Sequence, residues 1–157
     1  MSYETLLYKS EGPIATVTLN LPKKFNTIRP PMPDEIAAAM EKASKDPEVR
    51  VIVLQGAGST FCAGFDFSGN LEQYDELGVS LKPEDYDPGR DVMAMTSPFT
   101  GPVPKFMSIW RNPKPVICKI HGWCVGGGSE MALCADIVVA ADDARLGTPY
   151  ARVWGCH

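Results

Sequence analysis

Apolar positions along the chain fall into short β-type runs, one clear helical stripe, and turns marked by glycine or proline. Thr5 to Lys9 and Ile14 to Leu19 read as two strands joined through Glu11-Gly12-Pro13, and Thr16-Val17-Thr18-Leu19 alternates polar with apolar. This predicts a hairpin at the edge of a sheet. A proline-punctuated loop begins at Asn20. Ile36, Met40 and Ala43 then recur at helical spacing, with Pro33 suited to a helix start and Asp34 and Glu35 to its first turn. The helix is predicted to end before Asp46-Pro47.

Val51–Leu54 and Ile137–Ala141 are continuous β-branched runs, the pattern of strands buried on both faces. Val116–Ile120 is a further β-type run, followed by Gly126, Gly127 and Gly128 and by a helix-like segment from Ser129 and Glu130 through Ala135. Between these runs, Asn70 to Pro104 is rich in proline, glycine and acid and has little periodicity. It reads as a long loop with one short helix, of the kind that in compact domains is functional or mobile. Strands alternating with helices imply an α/β fold with right-handed crossovers.

Composition narrows the classes. The 157 residues are 45% hydrophobic and 22% charged, as in one ordinary globular domain spanning residues 1–157. The formal charge of −4 includes no basic cluster, which argues against nucleic acid as a partner. No apolar run reaches membrane-spanning length, and the Met-Ser-Tyr-Glu start lacks a leader pattern, so the expected compartment is the cytoplasm. Cys62, Cys118, Cys124, Cys134 and Cys156 form no Cys-x-x-Cys pair and read as core thiols rather than metal ligands or disulfides. His121 and His157 are too few for a histidine-rich metal site.

Two stretches carry candidate chemistry. In the first, a strand turns through three glycines into a helix N-terminus, where unpartnered N–H groups and the helix dipole favour an oxygen that becomes anionic. Glycine lets a ligand approach the backbone closely, and Glu130 places a carboxyl beside it. Taken alone, such a turn more often marks a tight bend and nothing more. The second stretch is a loop of small residues after Val51–Leu54, leading into Thr60-Phe61-Cys62-Ala63-Gly64-Phe65-Asp66-Phe67.

Four motifs in register connect these stretches. They are Leu19-Asn20-Leu21-Pro22-Lys23-Lys24-Phe25-Asn26, Phe61-Cys62-Ala63-Gly64-Phe65-Asp66, His121-Gly122-Trp123-Cys124-Val125-Gly126-Gly127-Gly128-Ser129-Glu130, and Ala135-Asp136-Ile137 through Ala144-Arg145-Leu146-Gly147-Thr148-Pro149. On these the chain resembles the crotonase superfamily, also called the enoyl-CoA hydratase/isomerase family. The resemblance implies a spiral of ββα units, without the C-terminal helical segment that closes family members and builds their trimers or dimers of trimers. It implies an acyl-CoA thioester as substrate, with coenzyme A as part of that substrate and no separate cofactor. The amides of Phe65 and Gly127 would hold the thioester oxygen and Glu130 would act as acid or base. Coenzyme A would lie along Lys24, Phe25 and Thr27 and across Ala63 to Phe67, including Asp66, although Lys24 also reads as a solvated loop lysine and Asp66 as a loop-fixing residue. The second glutamate of family hydratases falls at Tyr150, which reads as a hydrogen-bond donor or a pocket-lining residue. Enoyl-CoA hydration is the default implied reaction. Isomerisation, thioester hydrolysis, carbon–carbon cleavage and binding without turnover are the alternatives that Tyr150 raises.

Overall fold

The computed structural model describes residues 2–68, 78–79 and 83–149. Its main sheet starts with the expected hairpin. β1 (Leu6–Glu11) runs antiparallel to β2 (Ile14–Leu19), with Leu6 opposite Leu19. From β2 onward β3 (Val51–Gly56), β4 (Val116–Ile120) and β6 (Ile137–Ala140) follow in parallel, giving the order β1-β2-β3-β4-β6. The short strands β5 (Trp123–Val125) and β7 (Arg145–Gly147) pair in parallel as a second sheet.

Register decides which side chains share a face. Ala15, Ile52 and Val116 stand in one row, and Val17 and Leu54 align with Cys118 in the next, all buried. On this face lie Ile36, Ala39, Met40 and Ala43 of α1 (Met32–Lys45) together with Phe106 and Ile109 of α3 (Pro102–Trp110), forming one apolar core. Each fully buried side chain such as Ile36 or Leu54 contributes about 1.5–3 kcal/mol.

The ends of α1 are tied to other parts of the chain. At its start the Glu35 carboxylate accepts from the amides of Glu4 (2.6 Å) and Thr5 (2.8 Å), fixing the approach to β1. At its end Lys114 Nζ donates to the Ala43 carbonyl at 2.7 Å, satisfying one of the oxygens a helix leaves free.

The structure corrects three expectations. Neither β3 nor β6 is buried on both faces: Val51 and Val53 of β3 are half-buried, and the edge strand β6 has no fully buried residue, Ile137 and Val139 being 53% and 52% exposed. An unbroken apolar run does not reveal how many faces are covered. Asn70–Pro104, read as a loop with one short helix, contains α2 (Pro88–Thr96) and the first turn of α3 among its described residues. Pro102 and Pro104 looked like loop punctuation, yet proline costs a helix no hydrogen bond within its first turn. The glycine-led helix, α4 (Gly127–Leu133), begins two residues before Ser129.

Because β2, β3, β4 and β6 are parallel, the loops that follow them all leave the same end of the sheet. That end carries every described residue singled out for chemistry.

Candidate functional site

Three loops meet there: residues 20–31 after β2, 57–68 after β3 and 121–126 after β4. The middle loop is hydrogen-bonded to both neighbours. On one side Ala63 N donates to Phe25 O (3.0 Å), Ile28 N to Gly64 O (2.7 Å) and Asp66 N to Ile28 O (2.9 Å). On the other, Phe61 N donates to His121 O (2.9 Å), Cys62 N to Trp123 O (3.0 Å) and Val125 N to Cys62 O (3.1 Å). Small strand-like bridges, Ile28 with Phe65 and Cys62 with Cys124, result from this stitching.

The stitching sets the direction of one amide. Gly64 O and Asp66 N both face Ile28, so in extended chain the intervening Phe65 N–H points to the opposite side. The glycine turn lies close by. Gly64 sits at φ +89°, and a Cβ there would stand 3.1 Å from Val125 O and 3.9 Å from Gly127 N. Gly64 therefore answers both to the backbone angle and to the close approach of the two chains. The Phe65 ring lies against Gly127. Neither Phe65 N nor Gly127 N has an acceptor among the described residues.

Glu130 is in the first turn of α4, its amide donating to Gly126 O at 3.2 Å. The residue is exposed to solvent, yet desolvation pushes its carboxyl above the ordinary glutamate range. Gly128 is packed against the middle loop, a Cβ there falling 2.6 Å from Cys62 O. Ser129, also buried, donates to Gly126 O at 2.7 Å.

The remaining residues of the expected set divide between the two sides of the loops. Lys24 Nζ lies 3.3 Å from Asp66 Oδ2, joining the first loop to the second. Burial alone would raise the pKa of Asp66. Hydrogen bonds from the Ser68 hydroxyl (2.6 Å) and amide (2.9 Å), with the Lys24 ammonium, outweigh it and hold the carboxyl below the usual range. Asp66 thus fixes its own loop in an Asx-type arrangement. Phe25 and Phe67 leave large parts of their rings on the surface, and Thr27 closes the first loop by donating from its amide to Lys24 O at 3.1 Å. Ala63 is tied to the first loop by its amide bond to Phe25 O. Tyr150 and Cys156 lie outside the described residues.

Two residues the sequence did not single out for the site also hold the loops. Asn26 is fully buried at φ +52°, and its carboxamide bonds to Leu21, Ala57 and Thr60. An asparagine in a proline-punctuated turn was the signal available, because asparagine tolerates the left-handed region. His121 Nε2 lies 2.9 Å from Gly58 O; a carbonyl only accepts, so that nitrogen carries the proton. Cys62, Cys118 and Cys124 are buried thiols, and among the described residues no group of cysteine, histidine and acid is arranged to hold a metal ion. Among those residues, too, no helix is long and apolar enough to cross a membrane.

The sequence and the fold are shared with known proteins. Residues 9–155 match the enoyl-CoA hydratase/isomerase family, and the chain belongs to that family. It is 39% identical over 140 residues to a mevalonyl-coenzyme A hydratase of Beauveria bassiana, covering 89% of this chain and 47% of that protein. With the 1,2-epoxyphenylacetyl-CoA isomerase of Escherichia coli it shares 31% identity over 150 residues, 96% of this chain and 52% of that protein. A crystal structure of an enoyl-CoA hydratase from Mycobacterium smegmatis superimposes with a TM-score of 0.82 at 38% identity, over 98% of this chain and 52% of that one. The fold is therefore the crotonase fold, and the chain spans about half the length of the relatives it matches.

Proposed function

We propose that the protein acts on an acyl-CoA thioester by stabilising its enolate, with hydratase-like addition of water to a conjugated double bond as the leading reaction. The observation that carries this reading is the pair of amides, Phe65 N and Gly127 N, that lack an acceptor among the described residues and lie in loops packed against each other, with Glu130, a carboxyl of raised pKa, three residues on in the helix that Gly127 begins. In this reading both amides donate to the thioester oxygen. As water adds to the β carbon, electron density moves through the α carbon onto that oxygen, and fixed donors bind it more strongly than in the ground state. Loss of one donor costs about 3 kcal/mol of barrier. Glu130, with its pKa raised above the ordinary range, takes the proton from water as the oxygen bonds to the β carbon, and returns that proton to the α carbon to quench the enolate. The coenzyme A portion arrives with the substrate and lies along Phe25, Thr27 and Ala63 to Phe67, near the Lys24 ammonium.

A second reading, double-bond isomerisation, is favoured by one feature. The residue after Gly147-Thr148-Pro149 is Tyr150, and a phenol with an ordinary pKa of about 10 is a poor base at neutral pH. Isomerisation needs no water: one carboxyl removes a proton from one carbon and returns it to another. Similarity to a protein of Homo sapiens named Delta(3,5)-Delta(2,4)-dienoyl-CoA isomerase, 34% identical over 144 residues, supports this alternative.

Crotonyl-CoA and a 3-enoyl-CoA ester separate the two. Loss of the conjugated enoyl-thioester absorbance with the first supports hydration, and its appearance with the second supports isomerisation. Binding of both esters without turnover of either overturns both readings in favour of a binding role.

A further inference from the structure

Asn26 belongs to no element of regular structure, yet its environment is that of a core residue. It is 0% exposed and, like Phe25 before it, lies in the left-handed region, at φ +52°. Its side chain is fully engaged. Oδ1 accepts from Leu21 N at 2.8 Å, and Nδ2 donates to Ala57 O at 2.8 Å and to Thr60 O at 2.7 Å. Its own amide donates to Leu21 O at 3.0 Å, closing the turn after β2.

The two donor bonds reach a different part of the chain. Ala57 and Thr60 bracket the loop that leaves β3 and runs directly into Phe61–Asp66. The flanking residues continue the attachment, Ala63 N to Phe25 O and Gly64 O to Ile28 N. Asn26 therefore sits where the first and middle loops are joined, immediately before the stretch whose alternation directs the Phe65 amide.

From these contacts we infer that Asn26 is a positioning residue for the Phe65 amide, holding it where a thioester oxygen would receive it. This rests on the enolate reading above. Among small side chains only a carboxamide supplies one acceptor and two donors in this span. Aspartate has nearly the same shape but, when ionised, turns oxygens toward the Ala57 and Thr60 carbonyls, and serine supplies a single donor on a shorter arm. Either change leaves buried carbonyls unpaired and releases the middle loop.

The test uses Asn26→Asp and Asn26→Ser in the full chain, labelled with 15N-phenylalanine so that the Phe65 amide can be followed among six phenylalanines. Both variants are expected to move the Phe65 amide resonance and speed its hydrogen exchange. With whichever ester the wild type turns over, kcat is expected to fall roughly 10–100-fold with KM little changed, the size of effect that a displacement of about 1 Å produces. Burial opposed by two carbonyls raises the carboxyl pKa of the Asn26→Asp protein, and its protonated form regains a donor. Its kcat relative to wild type therefore recovers as pH falls, which a general loss of stability would not produce. An unmoved Phe65 amide, or wild-type kcat in a folded variant, overturns the inference. If neither variant folds, Asn26 is a folding residue and the positioning role is likewise overturned. A wild type that turns over no thioester, with the Phe65 amide still displaced in the variants, refutes the enolate reading and leaves the loop-positioning role standing.

Discussion

The Phe65 ring occupies the space that a side chain on Gly127 would need: a Cβ built there would stand 2.6 Å from Phe65 Cε2 and 2.9 Å from Ile28 Cδ1. Alanine at Gly127 can be accommodated only by moving that ring, and with it the loop that carries the Phe65 amide. At Gly128 the obstacle is backbone, because the same construction falls 2.6 Å from the Cys62 carbonyl oxygen. Gly127→Ala should cost about 1 kcal/mol of stability and Gly128→Ala about 3 kcal/mol, the lower and upper ends of ordinary overpacking. Denaturant midpoints check the order, and turnover should fall in both.

For Glu130 the raised pKa fixes the sign of its pH dependence. A carboxyl whose folded-state pKa lies above its unfolded value, about 4.3, favours folding while neutral. That contribution is complete below the unfolded value and disappears as pH rises through the folded one. Glu130→Gln should therefore match the wild type in thermal stability at acid pH and exceed it at neutral pH. Its turnover should drop by roughly 10²–10⁴, the usual contribution of a general acid or base. Equal melting temperatures across the whole pH range would refute the stability argument.

Asp66 behaves in the opposite sense. Its folded pKa is depressed, so its contribution is present above the unfolded value of about 3.9 and is lost as pH falls through the folded one. Asp66→Asn should lose about 1.5–3 kcal/mol near neutrality, the range for hydrogen bonds to a charged group. The two proteins should converge in acid, which urea titrations at several pH values would reveal.

The thiols should differ in reactivity. Burial pushes Cys62 up to about 12 and Cys124 to about 11, and raises Cys118 as well. Thiolate is the reactive form, so these three should resist iodoacetamide in the native protein. Cys134, which is only half-buried, should label ahead of them. Peptide mass mapping after brief alkylation checks the order, and early modification of Cys62 would contradict it.

Much of the architecture could be read from local pattern. The β1–β2 hairpin, the Ile36, Met40 and Ala43 stripe of α1 and the β3 and β4 runs each declare themselves within a few residues. What escaped depends on distant partners. β5 and β7 are only three residues long and exist through each other, with Trp123 paired to Arg145 although α4 and β6 lie between them in the chain. The exposure of β6 follows from its place at the sheet edge, which no run of Ile and Val reports. At the candidate site, the turn through glycine into a helix with Glu130 in its first turn was legible because its pattern is local. Asn26 was not, because its meaning lies in the Ala57 and Thr60 carbonyls more than thirty residues away.

The parallel run of β2, β3, β4 and β6 also divides the molecule into two ends under different constraints. Segments entering the strands, such as Pro13, whose carbonyl receives the Arg50 and Val51 amides, set strand spacing and allow little variation. On the segments leaving them, exposed positions such as Lys23 and Phe67 are free of that constraint, while buried ones such as Asn26 are not. A library confined to the exposed exit-loop positions should retain foldability far better than one that also samples buried residues such as Asn26 and Gly128.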